Sequence, residues 1–570
     1  MIRISLLARG ALCAAAIASA PVSAQAPAVR AHAARVVINR ARVNDVTDLR
    51  VLILADLDRR DAVWRAVGRL GGRVEARFDE LGYRRVRMHR DRILALDTIR
   101  GITSFHVDVG GDPSYDIDLD FADWDGEGWK RVVETIERDR AATEAHSDGP
   151  YRPVLDAPAF RRGSPYVPWN DMGTDAFAAA HPTFDGRGVT IAIVERFPEF
   201  THPAIQHALT LAGDTVRKIA GIIDPAAAET PLARSYRALP NIRPIVARHV
   251  EQAGVVHSDA DGMLAWEGKR YHAPALGAYR AGTYRRGARA YPVLWAPERR
   301  LVWLDTSGRG DFRDVAPLTD FNTRYSLGML PAADSVSAAI PFAVTIDSAG
   351  DRVRIHPGTS SHTMMLVSGA AATPYPGGDV GGVAPGARVV LAEYGDALNE
   401  KLEAFIRAAR RPDVDIVTCS CIFATFPGLG EGFAARVLDR LVRVYRKPLL
   451  VPAGNSGPML TEAGDEGATQ LIQVGAYTGR ASYLAHQGVR LGAREDWVAA
   501  YSAWGPGGTG AMKPDLLAPM NAVVADPCST RATTGGTVYR LPECYRLGGG
   551  TSLATPVAAA SAALLVSAAK

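Results

Sequence analysis

Cysteine is scarce in this chain, charge is nearly balanced, and long uninterrupted apolar runs are missing after the amino terminus. Five cysteines stand in 570 residues, and no group of cysteines and histidines has the spacing of a zinc site. Basic and acidic residues number 65 and 61, a net charge of +4. That balance argues against nucleic acid as a partner, although residues 48 to 110 are rich in arginine. Past residue 24 no stretch reaches the roughly 18 uninterrupted apolar residues of a membrane span. Low-complexity tracts are also lacking. What remains is a globular composition, 47% hydrophobic and 22% charged, in a chain long for one domain.

A leader is expected at the amino terminus. Met1 to Ala24 reads as a signal peptide, with Arg3 and Arg9, an apolar Ala/Leu/Ile core, and Val22-Ser23-Ala24 as a small-residue cleavage site before Gln25. A soluble protein, secreted or periplasmic, with no membrane contact after leader removal, is the expectation. Cys13 leaves with the leader. Of the other four cysteines, Cys528 and Cys544 flank a loop and suit a disulfide in an oxidising compartment. Cys419 and Cys421 lie two apart on a predicted strand, so they share one face while Ser420 points to the other. Two residues of strand rise separate them by roughly 6.6 Å, near the limit of disulfide reach, and they are not expected to pair.

Four segments carry chemistry. Gly186-Arg187-Gly188 is a turn into the apolar run Val189 to Val194, as expected of a parallel strand buried on both faces. Glu195 follows at its carboxyl end, where such sheets collect ligands. His362 heads the apolar segment Ser361 to Ser368. Lys447 to Pro452 reads as a short strand leading into Ala453-Gly454-Asn455-Ser456-Gly457. Last, Gly548 to Pro556 places Ser552 in a glycine turn that opens directly into an alanine-rich helix. A helix amino terminus offers unpaired N–H donors and a positive dipole end, which suit a hydroxyl that must become an alkoxide and then face an oxyanion. The amide of Asn455 can donate to that oxyanion without a proton to lose. Pro556 is placed early in the helix, where proline costs least. Taken singly, each has a plain reading: Ser552 as an N-cap, Asn455 in a turn, His362 as a polar helix cap and Glu195 as a structural carboxylate.

Together these segments resemble the subtilisin-like serine proteases. Gly550-Thr551-Ser552-Leu553-Ala554-Thr555-Pro556 is similar to that family's nucleophile motif. The run from Tyr501 to Asp526, with Lys513-Pro514-Asp515 and Ala518-Pro519, is similar to the stretch before it. Gly382 to Ala387 matches the segment after the catalytic-histidine helix, and Thr201-His202-Pro203 the stretch after the catalytic carboxylate. The resemblance implies Ser552 as nucleophile, His362 as base, Glu195 as its orienting carboxylate, Asn455 in the oxyanion hole, and Ser420 and Gly454 along the substrate edge. The order carboxylate, histidine, serine is the subtilisin order. It implies an α/β fold, a three-layer sandwich with a mostly parallel sheet, across residues 170 to 570. Two departures stand out. Glu195 replaces the family's aspartate and is followed by Arg196-Phe197-Pro198, and Thr363, Met364 and Met365 replace Gly-Thr-His. Glutamate is one methylene longer, so the strand end or the histidine must retreat by about a carbon–carbon bond length.

Residues 25 to 110 resemble the inhibitor-type propeptide of subtilases. Their pattern reads β-α-β-β-α-β, the ferredoxin-like α+β plan. Residues 111 to 169, rich in Asp, Pro and Gly, read as linker and propeptide tail. An insertion at about 204 to 358 is longer than most subtilases carry and alternates apolar and polar residues in its second half, so it is expected to be β-rich. It is reminiscent of the tripeptidyl peptidase II branch of the family. Asp305 to Asp311 resembles a calcium loop, but Arg309 and the shortage of carboxylates favour a plain glycine turn. Calcium is the one cofactor considered, and no other metal is expected. The chain reaches Lys570 directly after the nucleophile helix, where subtilases continue with further helices. The expected partners are protein or peptide substrates and the chain's own propeptide. Two functions of different class stay open. One is a secreted serine endopeptidase made as a zymogen and working through a Ser-His-Glu triad. The other is a catalytically silent relative that binds peptides in the same groove. An esterase without peptidase activity is a third.

Overall fold

The computed structural model describes residues 34–108, 160–223 and 250–570, apart from residues 36, 40, 44, 287–288, 333–338, 348–349, 351, 375–379, 396, 422–431, 456, 458–467, 489–495, 506–511, 529–538, 540 and 542. The expected signal peptide and most of the expected linker lie outside the described residues.

The amino-terminal unit is an antiparallel sheet of β1 (Asp48–Ala55), β2 (Arg73–Phe78), β3 (Tyr83–His89) and β4 (Ile102–Asp108), in the order β2-β3-β1-β4. Helix α1 (Arg60–Arg69) joins β1 to β2. The β3–β4 connection, expected as an α-helix, is a 3-10 run over Arg90–Thr98. Strand alternation gives β1 two apolar faces. Val51 and Ile53 pack with Val63 and Val67 of α1, whereas Leu52 and Leu54 point into the larger unit.

The larger unit is built on a sheet of β5 (Thr190–Val194), β6 (Ile219–Ile223), β7 (Arg388–Ala392), β8 (Ile416–Cys419), β9 (Leu449–Pro452), β10 (Ile472–Gly479), β11 (Asp496–Val498) and β12 (Leu516–Pro519). Its order is β11-β10-β9-β8-β5-β7-β6, with β12 beside β10. Every pairing is parallel except β10 with β11. Both faces are covered, which is why β5 is buried throughout and carries no polar face. Ile191 and Ile193 face helices α2 (Ser361–Ala371) and α5 (Gly550–Ala569). Ala192 and Val194 face helices α3 (Leu398–Arg410) and α4 (Phe433–Tyr445). Helix α5 is long and apolar enough to cross a membrane by length and composition, yet 61% of it is buried inside the protein. It is a core helix of the sandwich.

Packing of the larger unit starts before residue 170. Phe160, Val167 and Trp169 are in its core, Trp169 Nε1 donates to Gly381 O at 2.8 Å, and Arg162 donates to the carbonyls of Gly382 and Val383. The insertion is β-rich, as expected. Strands Val250–His257, Ala278–Arg286, Arg289–Ala296 and Leu301–Leu304 form one antiparallel sheet, and Leu327–Leu330, Ile340–Ile346 and Val353–Pro357 form another. They share a core that includes Tyr284, Val293, Trp295, Phe342 and Ile355. The last of these strands leads into α2.

The amino-terminal sheet docks on α3 and α4. Leu52, Leu54, Phe78, Leu81 and Tyr83 pack there, and at ~1.5–3 kcal/mol for each buried side chain they contribute on the order of 10 kcal/mol before ordering costs. Arg440 donates to the carbonyls of Ala55 (2.6 Å) and Leu81 (2.8 Å). Arg85 pairs at 3.0 Å with Glu403, which is fully buried and whose carboxyl is raised by that burial.

Candidate active site

The parity of β5 decides where its carboxylate points. Ile191 and Ile193 face α2 and α5, so Glu195, one step beyond the strand, falls on the same side. Its Oε2 lies 3.1 Å from His362 Nδ1, off the line of an ideal hydrogen bond, and only 4% of its side chain is exposed. The carboxylate also folds back so that Oε1 accepts from Arg196 N–H at 3.1 Å. That curl takes up the additional methylene without displacing β5, whose register with β7 continues as Glu195 N–H donates to Ala392 O.

His362 sits in the first turn of α2. Ser360 is the N-cap: its Oγ accepts from Thr363 N–H at 3.0 Å and from Thr363 Oγ1 at 2.7 Å. Thr363, a departure from the family pattern, therefore serves the cap. Met364 and Met365 are buried in the core, away from the solvent side where the ring is 42% exposed. Ser361 donates to Asp526 and accepts from Arg546 Nη1 at 2.6 Å. Burial raises the Asp526 carboxyl, with the Ser361 bond and Arg546 acting against it. This pair fastens the start of α2 to strands Ala522–Ala525 and Tyr545–Gly548, the second of which leads into the Ser552 turn.

Ser552 is in the first turn of α5. The helix opens at Gly550, whose φ of 81° needs glycine. Gly550 N–H donates to Tyr501 Oη at 3.1 Å and Thr551 N–H to Asn455 Oδ1 at 2.9 Å. The N–H of Ser552 has no partner among the described residues, so it is one of the helix's unspent donors. Thr551 Oγ1 also donates to Asn455 Oδ1, at 3.0 Å. Two donors on one amide oxygen fix the orientation of Asn455, and its NH2 is turned the other way. Asn455 and the Ser552 N–H thus lie at the same helix end. Gly454, at φ 103°, makes the turn out of β9, and its carbonyl accepts from Ala503. Ser420 Oγ donates to the Ser552 carbonyl at 2.7 Å.

The structure therefore brings Glu195 to His362, and Asn455 and Ser420 to the Ser552 turn. Helices α2 and α5 cross closely at Gly369, where an added Cβ would meet Leu553 Cδ1 at 2.6 Å. No hydrogen bond joins His362 to Ser552 among the described residues. Tyr501, Thr551, Asp526 and Arg546 escaped sequence reasoning. Only Thr551, adjacent to the serine, carried a local signal. Burial pushes Tyr501 up to about 12, so it is a neutral acceptor and donor at this site.

Two sequence expectations need correction. Cys419 and Cys421 are disulfide-bonded, with Cα atoms 5.3 Å apart. Strand β8 ends at Cys419, and the chain bends through Ser420 instead of rising at strand pitch. Pro556 is not at the start of its helix; α5 begins at Gly550, which puts the proline in the second turn. Cys528 and Cys544 are bonded as expected. They are grouped with His202 in the one cluster of metal-ligating residue types among the described residues, but their sulfurs are spent on each other. In the Asp305 loop the carboxylate already accepts from Ser307 N–H, Ser307 Oγ, Gly308 N–H and Gly310 N–H. Asp311 is paired with Arg313.

Comparison with known proteins gives the same direction. A family model described as the subtilase family matches residues 186–570. Among curated proteins, tripeptidyl-peptidase 2 of Oryza sativa subsp. japonica is 30% identical over 290 residues, 47% of this chain and 20% of its own length. Tripeptidyl-peptidase 2 of Arabidopsis thaliana is 29% identical over 298 residues, 49% of this chain and 20% of its own length. The match thus spans about a fifth of those relatives. A crystal structure of tripeptidyl peptidase 2 superposes with a TM-score of 0.48 at 18% identity, covering 69% of this chain and 33% of that one.

Proposed function

The chain belongs to the subtilase family of serine peptidases, and from that premise we propose that it is a secreted serine endopeptidase, made as a zymogen, working through a Ser552-His362-Glu195 triad. The observation that carries the triad is the 3.1 Å contact between Glu195 and His362. Ser552 attacks the peptide carbonyl while His362 Nε2 takes its proton and returns it to the leaving amine. Glu195, buried and acting on Nδ1, selects the tautomer that leaves Nε2 free and stabilises the imidazolium as it forms. Asn455 and the Ser552 N–H receive the oxyanion. The substrate lies as an added strand along the backbone at Ser420 and Gly454.

The amino-terminal unit is the inhibitor-type propeptide in this reading. Its support is the strand order β2-β3-β1-β4, the ferredoxin-like plan, and its docking on α3 and α4. The plain glycine turn at Asp305 is supported by the four donors already on that carboxylate, which a bound cation would have to displace.

The test uses one preparation. A fluorophosphonate should label wild type on Ser552 and not the Ser552→Ala variant. Intact mass should show wild type cut between about residues 110 and 170, the Asp-, Pro- and Gly-rich stretch read as linker, and the Ser552→Ala chain uncut there. A folded wild type without label, with both chains retaining residues 25 to 110, would point instead to a silent peptide-binding relative.

A further inference from the structure

Ser552 carries a carbonyl that its own helix cannot satisfy. Its donor in α5 would be the N–H of residue 556, and that residue is proline. The donor comes instead from Ser420, whose Oγ lies 2.7 Å away at the end of β8. Ser420 thus restores, from another element, the bond that Pro556 deletes. It acts on the peptide group that leads out of the nucleophile.

What holds Ser420 there is on the opposite face of the sheet. Ile416 faces α5, and Val417, Cys419 and Cys421 face α3 and α4. The two cysteines flank Ser420, are buried, and are joined to each other. Cys421 N–H also turns in on Cys419 Sγ at 3.0 Å. A ring spanning only three residues removes little chain entropy compared with longer loops, so this bridge contributes little to global stability. Its effect is to fix the backbone that presents the intervening hydroxyl.

We propose that the Cys419–Cys421 disulfide is a positioning clamp for the nucleophile: it sets the backbone at Ser420, Ser420 holds the Ser552 carbonyl, and the Ser552 Oγ and N–H are thereby held in place for attack. The inference rests on Ser552 being the nucleophile. It makes Cys419, Cys421 and Ser420 positioning residues, with no contact to the reacting atoms. A displacement of the nucleophile by a fraction of an ångström is enough to slow acylation, because reacting groups must be held within a narrow range of geometry.

The experiment is a mutant cycle on the full chain. It reads the second-order rate at which a fluorophosphonate phosphonylates Ser552, forming the Oγ–P bond with loss of fluoride, which needs no strand-edge contact with a peptide. Cys419→Ala/Cys421→Ala and Ser420→Ala should each slow phosphonylation about tenfold, and the combined variant should be no slower than either, since all act through one hydrogen bond. Additive losses, or a wild-type rate in the cysteine variant, would overturn the clamp. So would free thiols at 419 and 421 in the native oxidised protein, read by alkylation and mass spectrometry. Collapse of the far-UV circular dichroism in the cysteine variant would also overturn it, by showing a global staple. Should wild type itself take no label, the nucleophile reading fails. The clamp is then judged by hydrogen exchange at residues 550 to 555, which must quicken in the cysteine variant and is refuted by equal protection.

Discussion

Replacing Glu195 by glutamine changes one atom and keeps the side-chain length, so the 3.1 Å approach to His362 Nδ1 is retained. The charge is lost, and the amide NH2 can face Nδ1 as a donor. That arrangement holds the proton on Nε2, the nitrogen that must be empty to accept it from Ser552. Loss of a triad carboxylate in this way lowers turnover by about 10⁴, or about 5.4 kcal/mol at ~1.36 kcal/mol per decade. Glu195→Asp is the sharper perturbation. It keeps the charge but withdraws the carboxylate by about 1.5 Å, stretching the contact from 3.1 Å to as much as about 4.6 Å, past hydrogen-bond range. Orientation is lost and attraction partly kept, so the expected drop is smaller, about 10². The assay is kcat/KM on a fluorogenic peptide, normalised to fluorophosphonate-titrated sites, with circular dichroism confirming the fold. Wild-type turnover in the glutamine variant, or an aspartate variant as fast as wild type, would refute the reasoning.

Asn455→Ala should lower kcat by about 10²–10³ with KM little changed, because the donor is used only as the oxyanion forms; equal kcat would remove Asn455 from the site. Gly369→Ala sets a Cβ 2.6 Å from Leu553 Cδ1 between α2 and α5, so overpacking should cost ~1–3 kcal/mol, and an unchanged Tm would contradict that close crossing. Lys218 is buried, donating to the Pro385 and Ala387 carbonyls, and burial brings it down to about 7 against a weaker opposing pull from Asp185. Its unfolded form keeps the proton to 10.5, so between pH 7 and 10 the unfolded state binds more protons and stability contributed here rises with pH. Denaturant unfolding across that range should show the rise in wild type and its loss in Lys218→Met; identical slopes would reject it.

Much of the molecule was legible without coordinates because it depends on local pattern. The apolar run Val189 to Val194 announces a strand buried on both faces, whatever surrounds it. Gly548 to Pro556 announces a tight turn into a helix. Period-two alternation placed Cys419 and Cys421 on one face and Ser420 on the other, and the packing agrees. The same rule failed one step later. The two cysteines were spaced by ideal strand rise, but β8 stops at Cys419, and where a strand ends is decided by neighbours that lie far along the chain.

Residue types and their order along the chain were therefore determined by the sequence: which side chains can attack, accept a proton or donate to an oxyanion, and which strand or helix presents each. Their meeting was decided only by the tertiary structure. Glu195 and His362 touch across an insertion of more than a hundred residues. Asn455 is oriented by Thr551, and Ser552 is braced by Ser420 and bordered by Tyr501. Local pattern reports the conformation of consecutive residues, whereas a hydrogen bond between distant ones is set by how the layers pack. Side-chain direction, burial and every distance at this site belong to that second kind of information.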